Sequence, residues 1–157
     1  VGNTATSAGV SVNFSNVALP PITFEAETLS ATTSGQSLAV TVDAAASGGQ
    51  YRLFNSNAAG QFVTYTVTVT TAGTYQVTIG LATQGNRGIF QLQVDGVNLG
   101  TPVDYYTAGS VAQFSSRNPG TVTLSTGTHS FRFLCTGRNP AASNLKHALD
   151  YIKLTPQ

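Results

Sequence analysis

The chain has 157 residues, a net charge of +1 and only 8% charged side chains, enough for one domain with a sizeable core and too little to argue for two. No basic stripe or global field is available, which argues against nucleic acid or an anionic membrane as the main partner. Solubility falls instead to Thr, Ser, Asn and Gln, a secreted look, and no apolar run approaches membrane-spanning length. With no basic-then-apolar signal at its start, the sequence reads as a mature, secreted fragment of something longer.

The opening stretch, residues 1–21, is rich in small and polar residues and ends in Pro20-Pro21. It reads as a linker or leading extension, although Val10, Val12 and Phe14 alternate and could add an edge strand. From Ile22 to residue 157 the pattern is that of one β domain. The segment Ile22-Thr23-Phe24-Glu25-Ala26-Glu27 predicts a first strand, with Glu25 and Glu27 on one face. Two adjacent carboxylates repel, and the chain has only six acidic residues, so something positive is expected beside them.

Val63, Tyr65, Val67 and Val69 alternate with threonines, and after Ala72-Gly73 the same period continues through Tyr75, Val77, Ile79 and Leu81. The two runs are expected to form a hairpin. Phe90, Leu92 and Val94 follow, then Asp95-Gly96, the strongest short turn signal, leading to Val97 and Leu99. Val122 and Leu124 precede a turn at Thr126-Gly127. Phe131, Phe133 and Cys135 share a face beyond it, which makes the single cysteine a buried, inert thiol. Ala148 to Leu154 is the last strand. No segment carries a helical period with caps, and β-branched residues crowd the periodic runs. The expected class is all-β, a two-sheet antiparallel β-sandwich of the jelly-roll kind with about eight to ten strands.

Catalytic constellations are missing. His129 stands at a hairpin entrance and His147 in the loop before the last strand, with no metal-ligand spacing between them. No G-x-S-x-G elbow occurs, and Gly85-Asn86-Arg87-Gly88 reads as a loop between strands and not as a phosphate cradle. A hydrolase reading of the acidic residues would need two carboxylates across a cleft, and nothing in the sequence supplies that cleft.

Phe24-Glu25-Ala26-Glu27, Ala72-Gly73-Thr74-Tyr75, Val94-Asp95-Gly96 and Leu149-Asp150-Tyr151-Ile152 occur in the order and spacing of carbohydrate-binding modules of the family 6 and family 35 type. The likeness runs from about Ile22 to Pro156, and Gly127-Thr128-His129-Ser130-Phe131-Arg132-Phe133 with Gly137-Arg138-Asn139-Pro140 resembles sandwich domains appended to bacterial polysaccharide-degrading enzymes. The resemblance implies a jelly roll that binds a polysaccharide or oligosaccharide, performs no chemistry and is joined to a parent catalytic domain. It also implies that Glu25, Glu27 and Asp150 hold a structural calcium ion (Ca2+). Calcium takes six to eight oxygen ligands, and backbone carbonyls around Gly48-Gly49-Gln50 could complete such a set. Solvated strand carboxylates are the alternative.

Sugar recognition usually needs an aromatic plane and planar polar groups. The chain has no tryptophan, a departure from the resembled family. Among the remaining aromatic residues Tyr105 and Tyr106 stand out: neighbours in a strand face opposite ways, so one is expected inside and the other exposed. Arg87, Arg117, Arg138, Asn139, Asn144 and Lys146 fall in predicted connections. The resemblance implies that the loop before the last strand lines the ligand cleft, with Asn139 or Asn144 bonding the sugar. Arginines beside them suit a uronic acid or sulfate group. The competing function is a structural or interaction sandwich that binds no sugar.

Overall fold

In the computed structural model residues 19–157 are described; Val10, Val12 and Phe14, with most of the expected leading extension, lie outside that range. The described chain forms β1 Ile22–Glu25, β2 Ala31–Thr33, β3 Leu38–Val42, β4 Gln50–Phe54, β5 Phe62–Val69, β6 Gly73–Thr83, β7 Ile89–Val94, β8 Val97–Asn98, β9 Val103–Asp104, β10 Gln113–Leu124, β11 Gly127–Gly137 and β12 His147–Pro156. Two 3₁₀ turns, Ala26–Thr28 and Ser47–Gly49, interrupt them. One sheet runs β10-β6-β12-β4-β3 with β1 also on β12; the other runs β2-β5-β11-β7-β8 with β9 on β7. All strand pairs are antiparallel, and the expected β-sandwich is what the chain builds.

Alternation along each strand supplies the core. Tyr65 and Val67 of β5 and Phe131 and Phe133 of β11 meet Val77 and Leu81 of β6 and Ile152 and Leu154 of β12, all buried. Side chains of this size are each worth about 1.5–3 kcal/mol when fully buried. The expected hairpin between β5 and β6 does not form: β5 pairs with β2 and β11, β6 with β10 and β12. The turn at Thr70–Ala72 carries the chain from one sheet to the other. Both runs face the same core from opposite sides, a placement that a period of two cannot distinguish from a hairpin. The same holds at Ser125-Thr126, between β10 and β11, so His129 follows an inter-sheet turn and not a hairpin entrance.

Asp95-Gly96 does close a hairpin, with Val94 opposite Val97 and φ of 48° and 83° at the two turn residues, the left-handed pair that a two-residue turn requires. Asp95 then reaches β11. Its Oδ2 lies 2.7 Å from His129 Nδ1 and its Oδ1 accepts from Ser130 N, while His129 Nε2 lies 2.9 Å from the Ser125 carbonyl oxygen.

The last strand holds its sheet together. Its first residues pair with β4, its later ones with β1 on one side, and β6 runs along the other. Between Leu149 and Tyr151 the register with β6 shifts. This bulge keeps Leu149, Ile152 and Leu154 all in the core and turns Asp150 out of strict alternation.

The Asp95–His129 contact makes stability depend on pH in a definite sense. Bonding to Asp95 and to the Ser125 carbonyl raises His129 above its ordinary value. Burial pushes Asp95 up, but the bonds from His129 and Ser130 outweigh it and leave the carboxyl below its ordinary value. The histidine contribution is complete below about pH 6.5 and lost as pH rises through the raised folded value; the aspartate contribution is present above about pH 3.9 and lost as pH falls. Melting curves from pH 5 to 9 should show wild type exceeding His129→Asn by about 0.5 kcal/mol near pH 5.5, the scale of a half-exposed pair. That difference should shrink above pH 7, and one that grows with pH would contradict the assignment.

Candidate functional site

Glu25 ends β1 and Glu27 lies one turn on, in the first 3₁₀ turn and not in the strand that the sequence predicted. The turn still leaves both carboxylates on one side, because Ala26 between them is completely buried. Against them packs the second 3₁₀ turn. Ser47 Oγ donates to Glu25 Oε1 at 2.8 Å, and Ser47 N donates to Asp150 Oδ1 and Oδ2 at 3.0 and 3.2 Å. Gly48 has φ of 63°, and a Cβ there would stand 3.2 Å from Glu27 Oε1. Asp150 enters the group because β1 and β12 pair, with Glu25 opposite Tyr151.

Three carboxylates thus crowd one glycine turn. Burial first, and then the negative charges of Glu25 and Glu27, push the Asp150 carboxyl up to about 6 despite the Ser47 N–H bond. Glu25 Oε2 and Glu27 Oε2 are buried oxygens with no hydrogen-bond partner. Among the described residues no group of three or more His, Cys, Asp or Glu side chains stands in a ready ligand arrangement. The donor set nevertheless fits a hard cation: all oxygen, excess negative charge, unpartnered lone pairs and a turn too tight for a side chain.

The second site is built from loops. Residues 84–88 after β6, 104–110 after β9 and 138–146 before β12 are laced together through their backbones. Gly85 N donates to Gly109 O, Tyr105 N to Gly88 O, Ser143 N to Gly85 O, and Lys146 N to Asn86 O. Asn139 Nδ2 donates to Asp104 Oδ2 at 2.9 Å. Between the loops lies a polar cleft of about 220 Å3, lined by Gln84, Gly85, Asn86, Gly109, Ser110 and Ser143. Tyr106, half-buried, forms an isolated bridge to Gln84 at its side.

Not every residue singled out from the sequence reaches this cleft. Tyr106, Arg138, Asn139, Asn144 and Lys146 belong to the converged loops. Asn144 is occupied locally, its Oδ1 accepting from Leu145 N, and Arg138 Nη1 bonds Ala142 O. Tyr105 is the inward member of its pair, 2% exposed, packed edge-on against Phe90, with its hydroxyl 3.3 Å from His147 Nε2. Arg87 is 1% exposed; its Nε donates to Ala82 O and its Nη1 to Asn86 Oδ1. It braces the loop from inside. Arg117, expected in a connection, lies within the edge strand β10 at a register shift. His147 is the first residue of β12, fully buried among Phe90, Tyr105 and Phe133, and burial drives its imidazole down to about 3.

The outer face of the β12 sheet holds a feature the sequence reading missed. The Tyr151 ring lies directly over Gly80, where a Cβ would come within 2.3 Å of ring carbon Cε1. With Phe114, Ser115, Ser116 and Asp150 it lines a cleft of about 250 Å3. The available signal was Gly80 itself, a glycine inside an alternating run, which marks close approach by another group.

Residues 25–155 match the family described as Carbohydrate binding module (family 6). No curated protein matches the chain. Among solved structures, a Paenibacillus xanthan lyase is 32% identical with a TM-score of 0.81, the match covering 94% of this chain and 14% of that one. A family 35 carbohydrate binding module from Clostridium thermocellum is 16% identical, with a TM-score of 0.65 and coverage of 88% and 100%. A Podospora anserina beta-(1,4)-mannanase with a family 35 module gives 20%, 0.63, and 88% and 28%. The last two show the fold alone, and this chain spans a small part of the xanthan lyase. The family match covers most of the chain, including the carboxylate turn, the three loops and the last strand: the chain belongs to the family 6 carbohydrate-binding modules.

Proposed function

We propose that this chain is a non-catalytic module that holds a polysaccharide in the cleft between its three converged loops and so keeps a secreted parent enzyme on that substrate. The lacing of the three loops by backbone hydrogen bonds carries this reading, because it presents amide and hydroxyl groups of Gln84, Asn86, Ser110 and Ser143 in one preformed concavity. Such groups suit sugar hydroxyls, and a preformed site spares the ordering cost of binding. Tyr106, whose backbone bridges Gln84, is the half-buried aromatic residue on these loops. The sheet-face cleft is a second reading, favoured by the Tyr151 ring packed against Gly80 with Phe114 lining the same cleft, aromatic groups of the sort that stack on a sugar ring.

An acidic substituent would be met by Arg138 and Lys146, the cations carried on the converged loops. Arg87 is enclosed and Arg117 belongs to β10. The preference for an acidic glycan therefore rests on fewer cations than the sequence suggested.

A structural calcium ion at Glu25, Glu27 and Asp150 completes the proposal. It is supported by the unpartnered buried oxygens of Glu25 and Glu27 and by the raised Asp150 carboxyl. Bound there, it would neutralise the mutual repulsion and tie β1, the Ser47–Gly49 turn and β12 into one unit.

Two measurements test these assignments. Calcium at a hundred times its Kd should stabilise the chain by about 2.7 kcal/mol, and chelator should remove that gain. Asp150→Asn should largely abolish the calcium response. A melting temperature indifferent to calcium and chelator, with no metal found by elemental analysis, would refute the ion site.

Calorimetric titration of neutral and uronic-acid oligosaccharides, at two ionic strengths, tests the glycan site. Ser110→Ala and Ser143→Ala should each weaken binding about fivefold, the scale of one lost hydrogen bond. Arg138→Ala should weaken only the acidic ligand and flatten its salt dependence. Silence of the loop variants together with loss in Tyr151→Ala would move the site to the sheet face. No binding to any glycan would favour the structural-domain alternative.

A further inference from the structure

The strand β3 closes one edge of the β12 sheet and, among the described residues, has no strand on its outer side. Its ladder with β4 fixes which backbone groups face outward. Asn55 N donates to Ser37 O, and Asp43 N donates to Gly49 O, in the register that sets Leu38 opposite Phe54 and Val42 opposite Gln50. Ser37, Ala39, Thr41 and Asp43 therefore occupy the positions bonded to β4, and the N–H and C=O groups of Leu38, Val40 and Val42 point away from the sheet. The side chains of Val40 and Val42 are 47% and 78% exposed.

Natural edges are usually guarded by charge, proline, a bulge or a cover. Among the described residues β3 has none of these: it reads Leu38-Ala39-Val40-Thr41-Val42, without charge or proline, and its register with β4 is unbroken.

We infer that β3 is a self-pairing edge, and that a second copy of this chain adds to it as an antiparallel strand about a twofold axis at Val40. The sequence is complementary to itself in that register. Val40 meets Val40 and Leu38 meets Val42, so every outward donor and acceptor of these residues finds a partner and the two exposed valines are covered. The nearest charge, Asp43, falls opposite Ser37 of the second copy, so no like charges oppose one another. Its carboxylate is already turned back onto Ala45 N.

A five-residue strand pair buries less than the roughly 1,200–2,000 Å2 of a stable standard interface. The association is therefore weak, and it becomes populated where molecules are crowded. A lattice of polysaccharide that concentrates the module provides that condition, and the pair would then bind with two clefts at once. None of the residues lining either cleft belongs to β3. Self-association is thus measurable without any glycan, and its failure is separate from failure of the sugar-binding assignment.

The test is sedimentation of the chain without ligand between roughly 10 µM and 1 mM, paired with amide hydrogen exchange. The weight-average mass should rise towards that of a dimer. The amides of Leu38, Val40 and Val42 should slow about fivefold or more across the series, while those of Ala39 and Thr41 stay protected throughout. Val40→Lys sets two ammonium groups face to face, and Val40→Pro removes an outward N–H without touching the β4 ladder. Both should leave the chain monomeric at the highest concentration with calcium response and glycan titration retained. A wild-type mass constant over the series, a dimer that survives both substitutions, or amides of Leu38, Val40 and Val42 already protected in the monomer would each overturn the proposal.

Discussion

The pairing of the last strand with three others is the constraint on which the rest of the structure depends. β12 lies between β6 on one side and β4 followed by β1 on the other, so removing it would leave its sheet in separate pieces. The same strand begins at the loop cleft, where His147 is sealed under Phe90 and Phe133, and passes the carboxylate turn at Asp150. Both candidate sites are thus features of one strand and its neighbours. The bulge at Asp150 reconciles the two demands on it, since Leu149 and Ile152 both serve the core while the aspartate between them reaches the Ser47 turn.

Much of this was legible in the sequence. Alternation placed β5, β6, β7, β11 and β12 with their core faces, Asp95-Gly96 marked its turn, and Glu25 and Glu27 do crowd one side, whereas β3, β4 and the first half of β10 carried no expectation of a strand. What alternation could not report was the sheet to which each strand belongs. Side chains of β5 and β6 face one core whether the strands pair or oppose each other across it, so an inter-sheet turn at Thr70–Ala72 carries the same pattern as a hairpin. Composition likewise marks arginines as solvated by default, and nothing near Arg87 in the sequence signals its enclosure.

The enclosed guanidinium is a loop support in its own right. Among the described residues Arg87 has no carboxylate partner; it is held by Ala82 O and Asn86 Oδ1, and burial lowers its pKa from the ordinary arginine value. A charge kept from water by neutral dipoles needs those dipoles in fixed places. The carbonyl of Ala82 and the amide of Asn86 are thereby held where the cleft requires them, which gives the loop its shape without a disulfide; the chain has a single cysteine, buried in the core.

The central place of the final strand also dictates an order of events during synthesis. β6 and β4 cannot be joined, nor β1 docked, until the ten residues of β12 have been made, although the β5, β7 and β11 strands of the other sheet are complete before it. A nascent chain therefore holds half a sandwich with its apolar face open. Loop closure between β1 and β12 spans nearly the whole domain, which places this topology among slow, non-local folders. Emergence of β12 from the ribosome, and not that of any local hairpin, is the moment at which this module becomes able to close its core.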